Sequence, residues 1–375
     1  MSTRFILSNS SHVNSRSRLA PLLGSALIAT LAAACSGSDA TDVDATQSEQ
    51  SLRAVIGAEG GELVGKAGTV FEGVRLSIPR GALVDKTEIE IVPATHLNPL
   101  PTSAVGCGPE FEILPAGLKL DGEATLTLPF NEQTISDHYR FDDEVKVWAV
   151  MNGKWGQLLQ TESSEGSVTV ALQELNGVGA GINPPADSDI VKFDFAPNPK
   201  FAKCLARYPE DPSRAPHVSA VVVRGELNDG LFLRGENVKP NLKFDMFSVE
   251  RSSLLADATP DPNFKGFGLA WYQSDLEANS YGRMNASIRT ILLDQIFGFD
   301  PDVTLAPTGT FQMGFWFNNP DDAAECGFDV TKPTPFNGEH RAGPLAMISL
   351  PNEETGLGPL CTKPDTSVSP ARCDP

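Results

Sequence analysis

The chain has 375 residues, 41% of them hydrophobic, with 33 Gly, 29 Pro and a formal net charge of -19. That length suits two domains with connecting segments, and the Gly and Pro content without a helix-rich stretch points to β-structure with many turns. So acidic a surface repels nucleic acid and anionic headgroups, which excludes nucleic acid as a partner and leaves solubility as the plain reason for the charge.

Residues 1–34 carry Arg4, Arg16 and Arg18 and no acid. The apolar run that follows, "LAPLLGSALIATLAAA" from Leu19 to Ala34, is short for a membrane span and ends in small residues, as a cleavable export signal does. Cleavage before Cys35 is expected. "LAAAC" resembles a bacterial lipobox, although Leu31 stands four residues before the cysteine and Ala32 fills the place usually held by leucine. An ordinary A-x-A cleavage using Ala32 and Ala34 is the alternative. The lipobox resemblance implies acylation of Cys35 and a membrane partner reached through the lipid. Ser36 after the cysteine resembles the sorting pattern for the outer membrane of a Gram-negative cell. Residues 35–54 then read as a flexible tether, polar and without periodicity. Buried acyl chains contribute about 0.8 kcal/mol per CH₂, so several would hold the protein without a spanning helix.

Six cysteines occur, at positions 35, 107, 204, 326, 361 and 373. With Cys35 acylated, five remain and at least one stays unpaired; otherwise three bridges can form. The absence of a CxxC pair argues against a zinc ribbon or a thioredoxin-type site. A Cys326–Cys361 bridge is expected, because both lie in Gly/Pro-rich loops of one domain.

Residues 55–182 read as an all-β sandwich of about eight strands. Val74, Leu76 and Ile78 share one strand face, and "PRGAL" forces a turn. Thr87, Ile89 and Ile91 alternate with Glu88 and Glu90, the pattern of a half-buried strand. Strands at Phe111–Ile113 and Ala124–Leu128 follow. In "VKVWAVMNGKWGQLLQ", Asn152-Gly153 suits a two-residue type I′ hairpin with Trp148 and Trp155 near each other across it. A last strand, "GSVTVAL", ends at Leu172.

Gly60-Gly61, "LSIPRGAL", "TEIEIVP", "GPEFEILPAGLKLDGEATLTLPF" and "VKVWAVMNGKWGQL" together resemble a ZU-five domain, the β-sandwich of ankyrins, netrin receptors and zonula occludens proteins, over residues 56–182. The resemblance implies a domain that serves protein contact or spacing, with Gly108–Phe130 supplying paired core strands. Some relatives cleave themselves at a His-Phe-Ser sequence on the last strand. The corresponding stretch here, Gln173 to Gly177, offers no nucleophile or base for that acyl shift. His96 and His138 read as solvated loop residues.

Residues 183–215 read as a linker, opened by "NPPADSD". Residues 216–362 form a second β-rich domain, expected as another sandwich with a short helix near Leu292–Phe297, and residues 363–375 a disordered tail. The second domain offers strands at Val221–Val223, Leu231–Leu233 and Phe244–Ser248, and a hairpin across Asn279–Gly282. Three groups in it invite a functional reading. Asp257, Asp261 and Asn263, with Asp300 and Asp302, are calcium-ligand types, but their spacing fits no ligand loop and Asp-Pro pairs are ordinary turn chemistry. Phe315-Trp316-Phe317 alternates on a strand, which favours core packing over a sugar platform. Glu339-His340-Arg341 gathers hydrogen-bonding groups into one loop, a candidate binding loop set against a solvated turn.

No G-x-S-x-G, H-E-x-x-H or phosphate-loop motif occurs, so the chain is read as non-enzymatic, without cofactor or metal. The reading is an exported, lipid-anchored envelope protein that displays two β domains to another envelope protein or a surface glycan. A carbohydrate-binding module and a hydrolase using carboxylates of the second domain are the alternatives.

Overall fold

A computed structural model describes residues 46–47 and 50–373, apart from 96, 98, 160, 295–308 and 333–341. The first domain contains β1 (Thr46–Gln47), β2 (Leu52–Ile56), β3 (Gly61–Val64), β4 (Arg75–Ile78), β5 (Thr87–Pro93) and β6 (Val105–Leu114). It continues with β7 (Leu118–Pro129), a short α1 (Glu132–Asp137), β8 (Lys146–Met151), β9 (Lys154–Gln157), β10 (Thr161–Ser164), β11 (Ser167–Leu175) and β12 (Gly177–Ile182). These strands form two sheets, ordered β1-β2-β5-β6-β12-β8-β9 and β10-β11-β7-β4-β3.

Alternation decides which side chains enter the space between the sheets. Ile89 and Ile91 of one sheet and Leu76, Ile78, Leu126 and Leu128 of the other are buried in one core. The expected pairing within Gly108–Phe130 is corrected: β6 and β7 lie in different sheets. The Pro115-Ala116-Gly117 corner, with Gly117 at φ 78°, carries the chain from one sheet to the other, so the two strands face each other across the core. The Asn152-Gly153 hairpin is as read, with φ 51° and 75°, both positive as a type I′ turn requires. Trp155 stands opposite Val150 and Trp148 opposite Gln157, so the two indoles are diagonal neighbours.

The second domain contains β13 (Ile190–Pro197), α2 (Ala202–Leu205), β14 (His217–Val223), β15 (Asp229–Glu236), β16 (Lys243–Val249), β17 (Ala270–Glu277), β18 (Met284–Thr290), β19 (Gln312–Phe317) and β20 (Leu345–Ser349). One sheet of eight strands results, ordered β17-β16-β19-β20-β13-β14-β15-β18. It rolls up until its two ends meet. The expected second sandwich is thereby corrected to a nearly closed barrel, while the all-β class stands. Phe195, Val222, Leu233, Phe244 and Phe315 fill the interior.

The expected hairpin at Asn279–Gly282 is present as a turn, yet β17 pairs with β16 and β18 with β15. Those two strands form the seam of the barrel. One side-chain bond bridges it, Thr290 Oγ1 donating to Gln273 Oε1 at 2.6 Å, and Gln273 Nε2 in turn donates to Ser248 Oγ of neighbouring β16 at 3.0 Å.

The expected linker is also corrected, because its first half contains β13, held between β14 and β20 in the middle of the sheet. Val191, Phe193 and Phe195 send alternate side chains to the barrel core. The described part of the tail, through Cys373, is ordered as well. β21 (Pro364–Asp365) pairs with β22 (Arg372–Cys373), and Cys361 is bridged to Cys373. The Leu292–Phe297 helix does not form over its described residues: Leu292 to Asp294 make a non-helical turn, and the rest lies outside the described residues. At the other end of the chain, β2 begins inside the segment read as tether.

The two domains pack on each other through α1 and the turn after it. Phe141 meets Phe232 of β15 with ring centroids 4.9 Å apart, and Tyr139 meets the same ring at 5.8 Å. Arg289 of β18 lies 4.2 Å over the Phe141 ring and donates to both oxygens of Asp143, at 2.6 and 2.5 Å. Arg234 pairs with Asp137 at 2.9 Å. The first domain is therefore seated on the barrel wall by an aromatic contact ringed with ion pairs. Arg289→Ala removes the bidentate pair and the cation–π contact together, and is expected to lower stability by about 1 kcal/mol after allowing for solvent exposure. Urea unfolding in low and in 0.5 M salt, roughly, measures it; an unchanged midpoint in both would show that the pair contributes nothing.

Candidate functional site

The described surface has concave regions, three of which bear on function. The first lies between the domains, a cavity of about 320 Å³ lined by Gln133, Ser136, Arg234, Arg283, Asn285 and Ser287, among others. Its polar groups come from α1, from the outer faces of β15 and β18, and, for Arg283, from the turn that leads into β18. The strand period places positions 283, 285 and 287 on one face, while Met284 and Ala286 point inward.

The second is an open groove of about 650 Å³ at the mouth of the sandwich. Met151, Leu158, Leu159 and Leu172 give it apolar walls, and Glu123 and Glu174 give it acids. Leu159 is 87% exposed, a large apolar side chain left in solvent beside this groove.

The third, of about 300 Å³, sits on the outer wall of the barrel between Phe264, Phe267, Trp316 and Phe328. Trp316 is 1% exposed and packs edge-on to Phe247 and Phe267, at 5.5 and 5.0 Å. Phe315 and Phe317 point the opposite way into the barrel, as strand alternation predicts. Trp271 is 41% exposed and Tyr272 56%. As successive strand residues they turn to opposite faces and cannot make one platform.

The residues singled out by sequence are scattered. Cys35 and Glu339, His340 and Arg341 lie outside the described residues, as do His96, Asp300 and Asp302. Among the described residues, Asp257, Asp261 and Asn263 of the calcium set are not gathered around one point. Asp257 Oδ1 accepts from the Thr259 amide and hydroxyl, and Asp261 Oδ1 from the Asn263 amide, so each carboxylate closes its own turn. Among the described residues, the one group with metal-ligand atoms in convergence is Asp294, Cys361 and Cys373, whose two sulfurs are bonded to each other and offer no thiolate.

The expected Cys326–Cys361 bridge is corrected: Cys204 pairs with Cys326 and Cys361 with Cys373. Folding brings α2 against the 3₁₀ turn Pro320–Cys326, which places Cys204 beside Cys326, while the tail hairpin returns Cys373 to Cys361. Cys107 is a free thiol in the sandwich core, and burial pushes its pKa up to about 12, which keeps it protonated and unreactive.

His138 is half-buried, with Nδ1 2.8 Å from the Thr134 carbonyl, and so finishes α1. Between β11 and β12, Asn176 Nδ2 donates to Glu174 Oε1 and Asn176 Oδ1 accepts from the Gly117 amide, so its amide braces the corner. Carboxyls raised above the ordinary range by burial are Glu110, Asp142 and Asp322, and none of them lines the three cavities.

The sequence reading missed the arginines of the interdomain wall. The signal was in "RMNASIRT": Met284, Ala286 and Ile288 alternate toward the barrel core, and the outward face carries Arg283 and Arg289.

A two-sheet sandwich with a buried core, joined to a nearly closed barrel and bearing surface grooves, defines an all-β, two-domain protein. Residues 52–142 match the family model of the ZU5 domain. The match ends at the turn before β8, so strands β8 to β12, which complete both sheets, lie beyond it. No curated protein matches the chain.

Proposed function

We propose that this protein is a lipid-anchored envelope protein whose ZU5 domain makes a protein contact, with the barrel as its rigid mount. The ZU5 domain carries the reading. The groove between β8 and β11, with exposed Leu159 at its lip, is the contact surface proposed, since a large apolar side chain in solvent marks a binding site when it borders a patch of others.

Cysteine parity supports the anchor. The five cysteines after Cys35 resolve into two bridges and one thiol buried in the core, an odd number that matches the parity expected if Cys35 is acylated. The bridges themselves support an oxidising compartment. The mechanism is display: a lipid raises local concentration at the membrane, and a fixed pair of domains presents one face to its partner. A surface glycan at the exposed indole of Trp271 is the second reading.

A Cys35→Ser variant is expected to move from the membrane to the soluble fraction of its host, as immunoblotting of fractionated cells would show. Membrane partitioning that stays unchanged removes the anchor. A photo-crosslinking side chain at position 159 should give a discrete adduct that the same group at exposed Leu227 does not; equal labelling at both positions, or none, sinks the proposed contact face.

A further inference from the structure

We propose that the cleft between the two domains binds an oxyanion, a carboxylate or a phosphate group, through Arg283 and Arg234. In a chain of net charge -19, a cleft whose charged lining is two arginines is not explained by solubility. Arg234 spends one nitrogen on the first domain: its Nη2 donates to Asp137 Oδ1 at 2.9 Å and to Ser136 Oγ at 3.4 Å. A guanidinium carries five N–H donors in a planar fork, so further donors remain for a ligand. The Arg283 guanidinium has no ion pair or side-chain hydrogen bond among the described residues. Asn285, Ser287 and Gln133 add amide and hydroxyl donors around the same space.

Behind these groups Phe232 and Leu233 are buried, at 5% and 1% exposure, and an apolar wall of that kind strengthens a charge-assisted hydrogen bond made against it. The backbone delivering Arg283 is fixed. Asn279 Oδ1 accepts from the amides of Tyr281 and Arg283, and Gly282, at φ +73°, sits where a Cβ would fall 2.2 Å from the Val238 carbonyl oxygen. Arg207 reinforces the turn by donating to the Tyr281 carbonyl. A positioned arginine without a carboxylate partner, beside a second one with donors to spare, fits the planar three-atom edge of a carboxylate or two oxygens of a phosphate. The location between domains is where such sites concentrate.

Calorimetric titration of the protein with inorganic phosphate, and separately with D-glucuronate, tests the site at low ionic strength. Saturable binding of one or both is expected, and whichever binds distinguishes a phosphate-bearing from a carboxylate-bearing ligand. Arg283→Gln should weaken it about tenfold with an unchanged melting temperature, Ser287→Ala should weaken it less, and Arg80→Gln on the distant sandwich should leave it intact. Absence of saturable binding by either anion, wild-type affinity in Arg283→Gln, or equal weakening in Arg80→Gln would each overturn the assignment.

Discussion

Replacing Cys204 and Cys326 together by alanine is expected to destabilise the barrel by as much as about 5 kcal/mol, the largest single effect in the molecule. The bridge closes a loop of 122 residues, against 12 for Cys361–Cys373. In the chain-entropy account a cross-link acts on the unfolded ensemble, and its contribution grows with the logarithm of the loop it closes. The shorter bridge should therefore contribute about 3 kcal/mol by the same arithmetic.

The longer one also has a packing role. Cys204 is buried in α2, which lies between β13 and β14 in the chain, and Cys326 ends the turn after β19. Joined, they hold the sequence-distant halves of the rolled sheet in register. Alanine at both positions leaves the surrounding apolar contacts of Phe201 and Phe328 in place, so the change reports chiefly on the cross-link. Urea unfolding of the two double variants under identical conditions gives the comparison. A larger loss from the Cys361/Cys373 pair would refute the chain-entropy ordering and move the weight of the fold to the tail.

The strands of the first domain were legible because a two-sheet core takes one face of each strand and water takes the other, which writes a period of two into the sequence. The same period serves a barrel and a sandwich equally well, so the rolled second sheet was not readable from alternation. β13 was missed for a local reason. "DIVKFDFAP" alternates correctly, but prolines at 184, 185, 197 and 199 surround it, and the punctuation outweighed the pattern. Disulfide partners were misassigned because loop composition says nothing about which loops meet.

The site was legible on neither count. Gln133 and Ser136 stand about 150 positions before Arg283 and Ser287, and only the docking of Phe141 on Phe232 brings them to one cleft. By contrast, the turn chemistry of Asp261-Pro262 lies within one short stretch, and Asp257 makes a turn of the same kind. The two aspartate carboxylates accept from amides two residues on, a contact that spacing alone predicts.

Asp294 is the second position where a large effect is expected, about 3 kcal/mol for Asp294→Ala. Its side chain is 5% exposed and joins three separate pieces of chain. Oδ2 accepts from Arg224 Nη2 at 2.6 Å and from the Thr362 hydroxyl at 2.5 Å, while Oδ1 accepts from the Thr362 amide at 2.5 Å. Cys373 Sγ approaches Oδ1 at 3.5 Å, but the bridged sulfur has no proton, and that approach is a contact only. Alanine would strip the tail of its anchor and leave Arg224 without its counter-charge. It would also occupy φ 56° less readily than aspartate does. Asp294→Asn keeps the shape and one acceptor, and should lose about half as much.

The pH dependence separates charge from shape. Burial alone would raise the Asp294 pKa, but the Thr362 hydroxyl and amide and the Arg224 guanidinium outweigh it and hold the group below the ordinary carboxylate value. A carboxyl depressed in the folded state contributes stability in full above its unfolded pKa of about 3.9, and that contribution is lost as pH falls through the folded value. The gap between wild type and Asp294→Asn, measured by urea unfolding, should therefore be widest near neutrality and narrow below about pH 4. A gap that is constant with pH, or that widens in acid, would mean the carboxylate is not what ties the tail to the barrel.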